Sequence, residues 1–391
     1  MKRVAIIGGG AAGCFCAVEI RRACPGLQVE VFEAGRRPMA RLALTGGGRC
    51  NISNTFGTVR SLQEAYPRGA RLMDRLFHTF GPDQARKWWE DNGIPLVEED
   101  GGRLFPASMD AMDVVRKLEQ LMRSSGVILH CGQAVSSIRD IGGYDAVVVT
   151  TGGGTADRLL DGLGISTEPA VPSLFSFKLG DSGIRQLSGT AVKDVKLRLE
   201  GTALSSGGDM LITDWGVSGP AVLRLSSFAA RELAANGYMG ALCINWSGTD
   251  EQEARSGLEM LFRANPAKHL AGVHPDRFSG RLWAHLLGKA GLDASMRCDQ
   301  CGGRLLNRLS RTLTDDRYAV EGRARFKDEF VTCGGVSLGA VDWKTLESKQ
   351  VPGLYFAGEV LDIDAVTGGF NLQAAWTTAY TAAAAIIRQC R

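Results

Sequence analysis

The residues of this 391-residue chain that most constrain its chemistry are three clusters of glycine. The first is Val4-Ala5-Ile6-Ile7-Gly8-Gly9-Gly10-Ala11-Ala12-Gly13, an apolar run of strand length that feeds a glycine turn and then residues able to begin a helix. Gly8 permits the tight turn, Gly10 lets a pyrophosphate approach the backbone, and Gly13 lets the helix pack closely on the strand. Phosphates placed there lie on a helix N-terminus, where backbone N–H groups and the macrodipole favour negative charge. A second strand, Gln28-Val29-Glu30-Val31-Phe32, ends in Glu33, 20 residues beyond Gly13, where an acid can accept hydrogen bonds from ribose hydroxyls. A plain strand-to-helix turn leaves that acid unexplained, so turn and acid together predict an adenine dinucleotide. The other two clusters are Gly46-Gly47-Gly48-Arg49-Cys50-Asn51 and Gly353-Leu354-Tyr355-Phe356-Ala357-Gly358-Glu359. Flavin adenine dinucleotide (FAD) gives all three a role.

The elements that must position these residues follow from pattern. Residues 61–93 read as helical, with Leu72, Leu76 and Phe80 on one face, and Asp110 to Ser124 as an amphipathic helix through Val114, Leu118 and Leu121. Val127-Ile128-Leu129-His130 and Ala146-Val147-Val148-Val149-Thr150 read as parallel strands buried on both faces. The second of them runs into Thr151-Gly152-Gly153-Gly154, a turn at a strand's carboxyl end, where ligands of α/β sheets bind. From about Val171 the texture alternates, as in Val195-Lys196-Leu197-Arg198-Leu199, and predicts an antiparallel sheet or small barrel. Residues 250–313 become helical again, and the first pattern returns at Gly353. The expected organisation is therefore an α/β Rossmann-like FAD domain made of residues 1–168 and 334–391. A β-rich insert of 169–249 and 314–333 interrupts it, and a small helical domain, 250–313, sits within the insert.

Composition excludes little but sets the compartment. The chain carries 45 basic and 42 acidic residues, although residues 1–90 hold 14 basic against 7 acidic, a balance suited to polyanions or to FAD phosphates. Ten irregularly spaced cysteines fit a reducing, cytoplasmic setting better than a disulfide scaffold. Gly368 to Ile387 lacks charge but contains Asn371, Gln373 and threonines, which reads as a buried helix rather than a membrane span. Cys298-Asp299-Gln300-Cys301 has the spacing of half a zinc site or a redox pair, but no second pair follows, and unligated thiols with no metal are expected. Arg304, Arg308 and Arg311 fall on one helical face, opposite Leu305, Leu309 and Leu313, either as a solvated face or as a phosphate dock.

The whole pattern resembles the BaiN/RdsA-type, YhiN-like family of NAD(P)/FAD-dependent oxidoreductases. The likeness runs almost end to end. It rests on Thr45 to Asn54, Gly102-Arg103-Leu104-Phe105-Pro106, Gly216-Val217-Ser218-Gly219-Pro220-Ala221, Gly334-Gly335-Val336-Ser337-Leu338, and Val351 to Asp362 continuing into Gly368-Gly369-Phe370-Asn371-Leu372-Gln373. The resemblance implies a glutathione-reductase-like FAD domain with a β-rich barrel-like insert and a small helical domain. It also implies reduction of carbon–carbon double bonds, in bile-acid-type enones or in a uridine of large-subunit ribosomal RNA. Two departures stand out: Gly154-Thr155-Ala156-Asp157-Arg158 leads straight to Leu159-Leu160 where the family has a longer loop, and the connection from Ile138 to Tyr144 is short. Both bear on the substrate rather than on FAD.

On this reading the cofactor-binding positions are Gly8, Gly10, Ala12, Gly13, Glu33, Arg41, Gly47, Gly48, Arg49, Cys50, Asn51, Val135, Thr151, Gly152, Gly358, Glu359, Gly369, Phe370, Asn371 and Leu372. Glu33 is to hold the adenosine ribose, and Val135 either flanks the adenine or is an ordinary core valine. Arg49 either offers paired donors to phosphate or carbonyl oxygen, or forms a surface salt bridge. Glu359 matches the acid that related flavoproteins place on the ribityl chain. A helix starting near Gly369, aimed at the flavin N1 and C2 carbonyl, favours the anionic reduced flavin. The proton donor is not identified: Cys50 is a weak candidate against a packed buried thiol, and Cys333, Asp362 and Asp364 are weaker. NAD(P)H is a possible transient reductant, since only one complete dinucleotide fingerprint is present. The rival class is a non-catalytic flavoprotein that binds RNA or protein through its inserts.

Overall fold

The structure, a computed structural model, describes residues 2–324 and 331–390. It divides into two compact units, 1–171 with 331–391 and 172–330. Five strands form the parallel sheet of the first unit: β1 (Arg3–Ile7), β2 (Gln28–Glu33), β3 (Ile128–Cys131), β4 (Ala146–Val149) and β5 (Leu354–Phe356), in the order β5-β4-β1-β2-β3. β1 is central, with Ile7 opposite Phe32 on one side and Val149 on the other. Val4 to Ile7 and all of β4 are buried, as near-continuous apolar runs inside a parallel sheet require. β3 departs from the expectation of burial on both faces. Among the described residues it pairs only with β2, and Ile128 and Leu129 remain 41% and 36% exposed. An apolar run reports that a strand exists, not whether it has one neighbour or two.

Three helices of this unit matter for the site: α1 (Ala11–Ala23), α2 (Ala111–Ser125) and α3 (Phe370–Cys390). α2 starts at Asp110, whose carboxylate accepts from Met112 N at 2.9 Å, and stops at Gly126, whose φ of +80° ends the helix. The stretch expected to be helical over 61–93 is three pieces, Leu62–Ala65, Ala70–Phe80 and Pro82–Asp91. Gly69, at φ +84°, and the Gly81-Pro82 step separate them. Leu72, Leu76 and Phe80 are buried as their spacing predicts. The uncharged stretch of α3 lies inside the unit's core: Trp376 is fully buried against Phe15 and Trp89, and its Nε1 donates to Ile52 O at 2.9 Å. No described helix is long and apolar enough to cross a membrane.

The second unit is a closed six-stranded barrel, running Ala191–Leu199, Ser205–Thr213, Gly216–Ser218, Phe177–Leu179, Asp316–Arg323 and Gly240–Asn245 around its wall. The alternating texture thus resolves to a barrel. The helices Glu251–Arg263, Gly280–Lys289 and Gly303–Thr314 share one hydrophobic core with it, so the segment read as a small domain packs with the barrel in a single unit. A buried polar knot joins them: Asp316 accepts from Trp246 Nε1 at 2.9 Å and from the Tyr318 hydroxyl at 2.6 Å, and pairs with Lys289. Leu306, Leu309 and Leu313 face inward and Leu305 is only half-buried, a one-residue adjustment of the expected face. Cys298 and Cys301 lie in this core.

Replacing Trp376 with alanine removes the largest side chain between α1 and α3 and leaves Ile52 O without its donor. The expected loss is about 3–5 kcal/mol of unfolding free energy. Urea denaturation of the apo-protein, followed through the unit-1 transition, is the check. A change below about 1 kcal/mol contradicts the packing described.

Candidate dinucleotide site

The glycines of the first cluster divide into two kinds. Gly8 has φ +109°, and a Cβ there would stand 2.5 Å from Thr150 O; a Cβ on Gly13 would stand 2.0 Å from Gly8 O. Both are glycine because α1 lies hard against the ends of β1 and β4. Gly10 differs. Its φ of −80° and ψ of −169° suit any residue, and a Cβ there would meet no atom within 4 Å. Nothing among the described residues asks for glycine at this point, and the bare backbone leaves the space in front of it open to a ligand. α1 begins there with no side-chain cap and no acid in its first turn, leaving N–H groups and the positive dipole end to an anion. The turn therefore fits the diphosphate of FAD.

Glu33 stands at the edge of this turn. Its Oε2 accepts from Gly9 N at 2.8 Å and its Oε1 from Gly35 N at 2.6 Å, while its backbone oxygen accepts from Gln133 N at 3.0 Å. That last bond brings the loop after β3, with half-buried Val135, to the same edge. Ala12 is buried beneath Gly358, where a Cβ would lie 2.9 Å from the Ala12 Cβ, so the first and third clusters touch. Gly152, at φ +77°, sits with Arg41 and Glu359: a Cβ on it would stand 3.7 Å from Arg41 Nη1 and 3.6 Å from Glu359 Oε2. Thr151 turns to Thr155, hydroxyl to hydroxyl at 2.6 Å. Burial pushes the Glu359 carboxyl above its ordinary value, against the opposing pull of the Thr332 N–H at 2.7 Å, of Arg41 and of the Gly153 N–H.

The second cluster is a run of left-handed residues, with φ of +59°, +67° and +85° at Gly46, Gly47 and Gly48. Side chains at Gly47 and Gly48 would meet nothing within 4 Å, so a bare backbone is presented there. The Asn51 amide, oriented by its partners, donates to Ser53 O at 3.0 Å and Leu104 O at 3.3 Å and accepts from Gly369 N at 3.0 Å. It fastens the second cluster to the start of α3. A Cβ on Gly369 would lie 2.2 Å from Ser53 O.

Other expected residues take different parts. Arg49 is exposed, pairs with Glu99 at 3.1 Å and lies 4.6 Å over the Phe105 ring, which is the surface salt bridge of its second reading. Asn371 closes a ring with Ala365, donating to its oxygen and accepting from its N–H, each at 2.9 Å. Phe370 packs edge-on to Phe56 at 4.9 Å, and Leu372 is half-buried against the core. These three side chains at the start of α3 are thus engaged within the protein. Cys50 is fully buried, and burial pushes its thiol up to about 12 despite the Thr45 hydroxyl. It is a packed neutral thiol. Cys333 is buried too, and Asp364, wholly buried, forks the Arg68 guanidinium, with Nε to Oδ1 at 2.5 Å. Sequence reasoning missed Arg68 and two companions: Tyr66, whose hydroxyl donates to Phe370 O at 2.8 Å, and Asn54, whose amide donates to Gly368 O at 3.0 Å. Arg68 and Asp364 are 296 positions apart, and no local pattern announces such a pair.

Two substitutions separate the roles of the glycines. Gly10→Val is expected to leave the apo-protein's melting temperature nearly unchanged and abolish FAD binding, whereas Gly13→Ala lowers the melting temperature itself. Thermal shift with and without FAD reads both, and retained flavin affinity in Gly10→Val refutes the assignment. Glu359 carries a third expectation. The folded state holds its proton more tightly than the unfolded chain does. Lowering the pH therefore stabilises the fold through this group, and ionisation above its raised value works against folding. Glu359→Gln should raise the apo-protein's melting temperature at pH 7, by an amount that shrinks as the pH falls through the carboxylate range, while weakening FAD binding. An apo-protein that melts lower at pH 7 contradicts this.

A model of the HI0933-like protein Rossmann domain family matches residues 2–385. The chain is 27% identical to a 3-dehydro-bile acid delta(4,6)-reductase of Clostridium scindens, over 98% of each chain. It is 28% identical to a ribosomal RNA dihydrouridine synthase of Escherichia coli, over 98% of this chain and 97% of that one. A ribosomal RNA dihydrouridine synthase of Haemophilus influenzae is 26% identical over 98% of each. The family match takes in the glycine turn, the barrel and most of α3 alike, and on that extent the protein belongs to the HI0933-like Rossmann-domain family.

Proposed function

We propose that this protein is an FAD-dependent reductase of a conjugated carbon–carbon double bond, and that its substrate is a uridine in large-subunit ribosomal RNA. The observation that carries the cofactor is Gly10, a glycine that the fold itself does not require, set before an uncapped helix. When bound, FAD supplies hydride transfer. The protein's part is to hold and orient. The turn from Gly8 to Gly13 takes the diphosphate, Glu33 accepts from the ribose hydroxyls, and Val135 flanks the adenine. Arg41, Gly152 and Glu359 gather on the ribityl side, and the first-turn N–H groups of α3 offer partial positive charge to an anionic ring. Cys50, being buried, packs the glycine loop and does not meet a substrate. NAD(P)H is the proposed reductant, bound transiently because the one complete glycine turn is taken by FAD. The proposed setting is the cytoplasm.

The two substrate classes named for the relatives share an electron-poor double bond beside a carbonyl. Ribosomal RNA is favoured here by Arg304, Arg308 and Arg311, which are exposed along Gly303–Thr314 and form no ion pair among the described residues. Three such cations in a row suit a phosphate backbone. A small enone is the second reading, supported by the equal likeness to the bile-acid reductase.

The purified protein is expected to be yellow and to release FAD, not FMN, on denaturation. NAD(P)H should bleach the flavin, and ribosomal RNA lacking dihydrouridine should restore its colour. Changing the three arginines to glutamine should keep FAD content and flatten the salt dependence of RNA binding by about 0.7–0.9 log units per lost contact. Restoration by an enone and not by RNA moves the substrate to the second reading. Flavin that no acceptor reoxidises makes the protein a non-catalytic flavoprotein.

A further inference from the structure

Phe56 holds a left-handed backbone, φ +60°, which is an outlier for a bulky side chain and persists only where the surroundings impose it. They do so here: its N–H donates to Asn54 Oδ1 at 2.7 Å, and its carbonyl accepts from Val59 N at 3.0 Å. The result is a ring set against the start of α3. Phe56 meets Phe370 edge-on at 4.9 Å and Phe77 edge-on at 5.2 Å. Phe56 and Phe77 are only half-buried, whereas Tyr66 and Phe370 of the same cluster are buried. A ring that merely filled the core would need neither the strained backbone nor the exposure. The helix Ala70–Phe80, which carries Phe77, is tied to the same place. Val366 N donates to Ala65 O at 2.9 Å just before it, and a Cβ on Gly69, its N-cap, would stand 2.8 Å from the Ile363 side chain. Exposed cations accompany the ring: Arg60 in its own loop, and Arg71 and Arg75, one helical turn apart on the outward face of Ala70–Phe80. None of the three forms an ion pair among the described residues. The acids nearest in the chain are Asp74 and Glu64, the latter accepting the Arg60 N–H at 3.4 Å, so guanidinium groups are in excess.

We infer that Phe56 and the outward face of Ala70–Phe80 form the surface on which the first unit takes a single-stranded stretch of RNA, a base on the Phe56 ring and phosphates on Arg60, Arg71 and Arg75. An aromatic ring accepts any base, and guanidinium groups bind phosphate oxygens. A bile-acid-type enone packs on a phenyl ring too, but it brings one anion at most to three cations spread over a loop and a helix. That charge decides for a polyanion. The surface rests on the RNA reading of the substrate, and it orients a strand beside the start of α3 without taking part in the reduction.

The probe is a single-stranded uridine hexanucleotide, titrated into the FAD-loaded protein while the flavin absorbance is followed, because Phe56 adjoins the helix start assigned to the flavin. A saturable shift is expected. Phe56→Gly removes the ring and suits the left-handed backbone, and it should raise the half-saturating concentration by about tenfold. The double variant Arg71→Gln with Arg75→Gln should raise it by about tenfold as well, and flatten its salt dependence by about 0.7 log units per lost contact. Phe56→Tyr should restore the wild-type value, and flavin content should stay at the wild-type level throughout. If Phe56→Gly loses flavin, the arginine pair, which lies on the exposed face, decides. A wild-type flavin spectrum that the hexanucleotide does not move, or a half-saturation that neither Phe56→Gly nor the arginine pair changes, overturns the surface. So does a shift given by progesterone, a neutral enone, and not by the hexanucleotide. Flavin reoxidation by ribosomal RNA lacking dihydrouridine is measured separately on the wild type and both variants. If that RNA fails as an acceptor while the hexanucleotide still acts through these residues, the proposed reaction falls and the surface stands. If it is an acceptor with the same KM in all three proteins, the surface falls and the reaction stands.

Discussion

Backbone pressed against backbone is the constraint on which the first unit is built. At Gly8 and Gly13 the chain comes so close to Thr150 and to itself that a single added methyl group would overlap a carbonyl oxygen. That approach sets how deep α1 lies against β1 and β4. The depth in turn places Ala12 under Gly358, brings α3 alongside α1, and sets where the first N–H groups of α1 point. Gly10 stands apart from this packing, and its bareness follows from the geometry its neighbours impose. The Thr150 hydroxyl completes the junction by donating to Gly8 O at 2.8 Å, so the carbonyl that Gly13 approaches is also held by a hydrogen bond.

A second set of restraints converges on the turn before α3, and all but one of its members come from far along the chain. Asn51 holds Gly369, Asn54 holds Gly368, Tyr66 holds Phe370, and Asn371 folds back onto Ala365. The Arg68 fork on Asp364 anchors the approach to this turn. Burying a carboxylate is costly unless its oxygens are satisfied, and a two-point guanidinium contact satisfies both. These side chains act on the main chain and hold the start of a helix in one orientation.

Much of this was legible in the residues, and the part that was not has a common cause. The β1 turn, the acid ending β2, the buried run of β4 and the uncharged α3 are local patterns whose period or glycine content has a direct structural meaning. The alternating segments after Val171 were equally plain, although closure into a barrel depends on which strands meet. By contrast, Arg49 beside three glycines reads equally as a ligand-binding arginine or as half of a surface salt bridge, and its pairing with Glu99 and its place over Phe105 depend on a neighbouring sheet. The exposure of β3 and the pairing of Arg68 with Asp364 depend on neighbours hundreds of positions away or on the absence of one. The stretch around Phe370 and Asn371 reads as the start of a helix, but that Asn371 closes on Ala365 and Phe370 packs on Phe56 depends on contacts that the helix pattern does not carry.

The order of elements along the chain also sets an order of assembly on the ribosome. Residues 172–330 are contiguous, so the barrel unit has all its strands as soon as the Asp316–Arg323 strand emerges. The first unit has no such freedom, because β5 and α3 are synthesised after the barrel. Until they arrive, β4 carries an unpaired edge and the small-residue face of α1 is open to water, the surfaces on which nascent chains associate wrongly. A flavin site assembled from both sides of an insertion therefore matures late, and its early half keeps these surfaces open for as long as the barrel takes to be made.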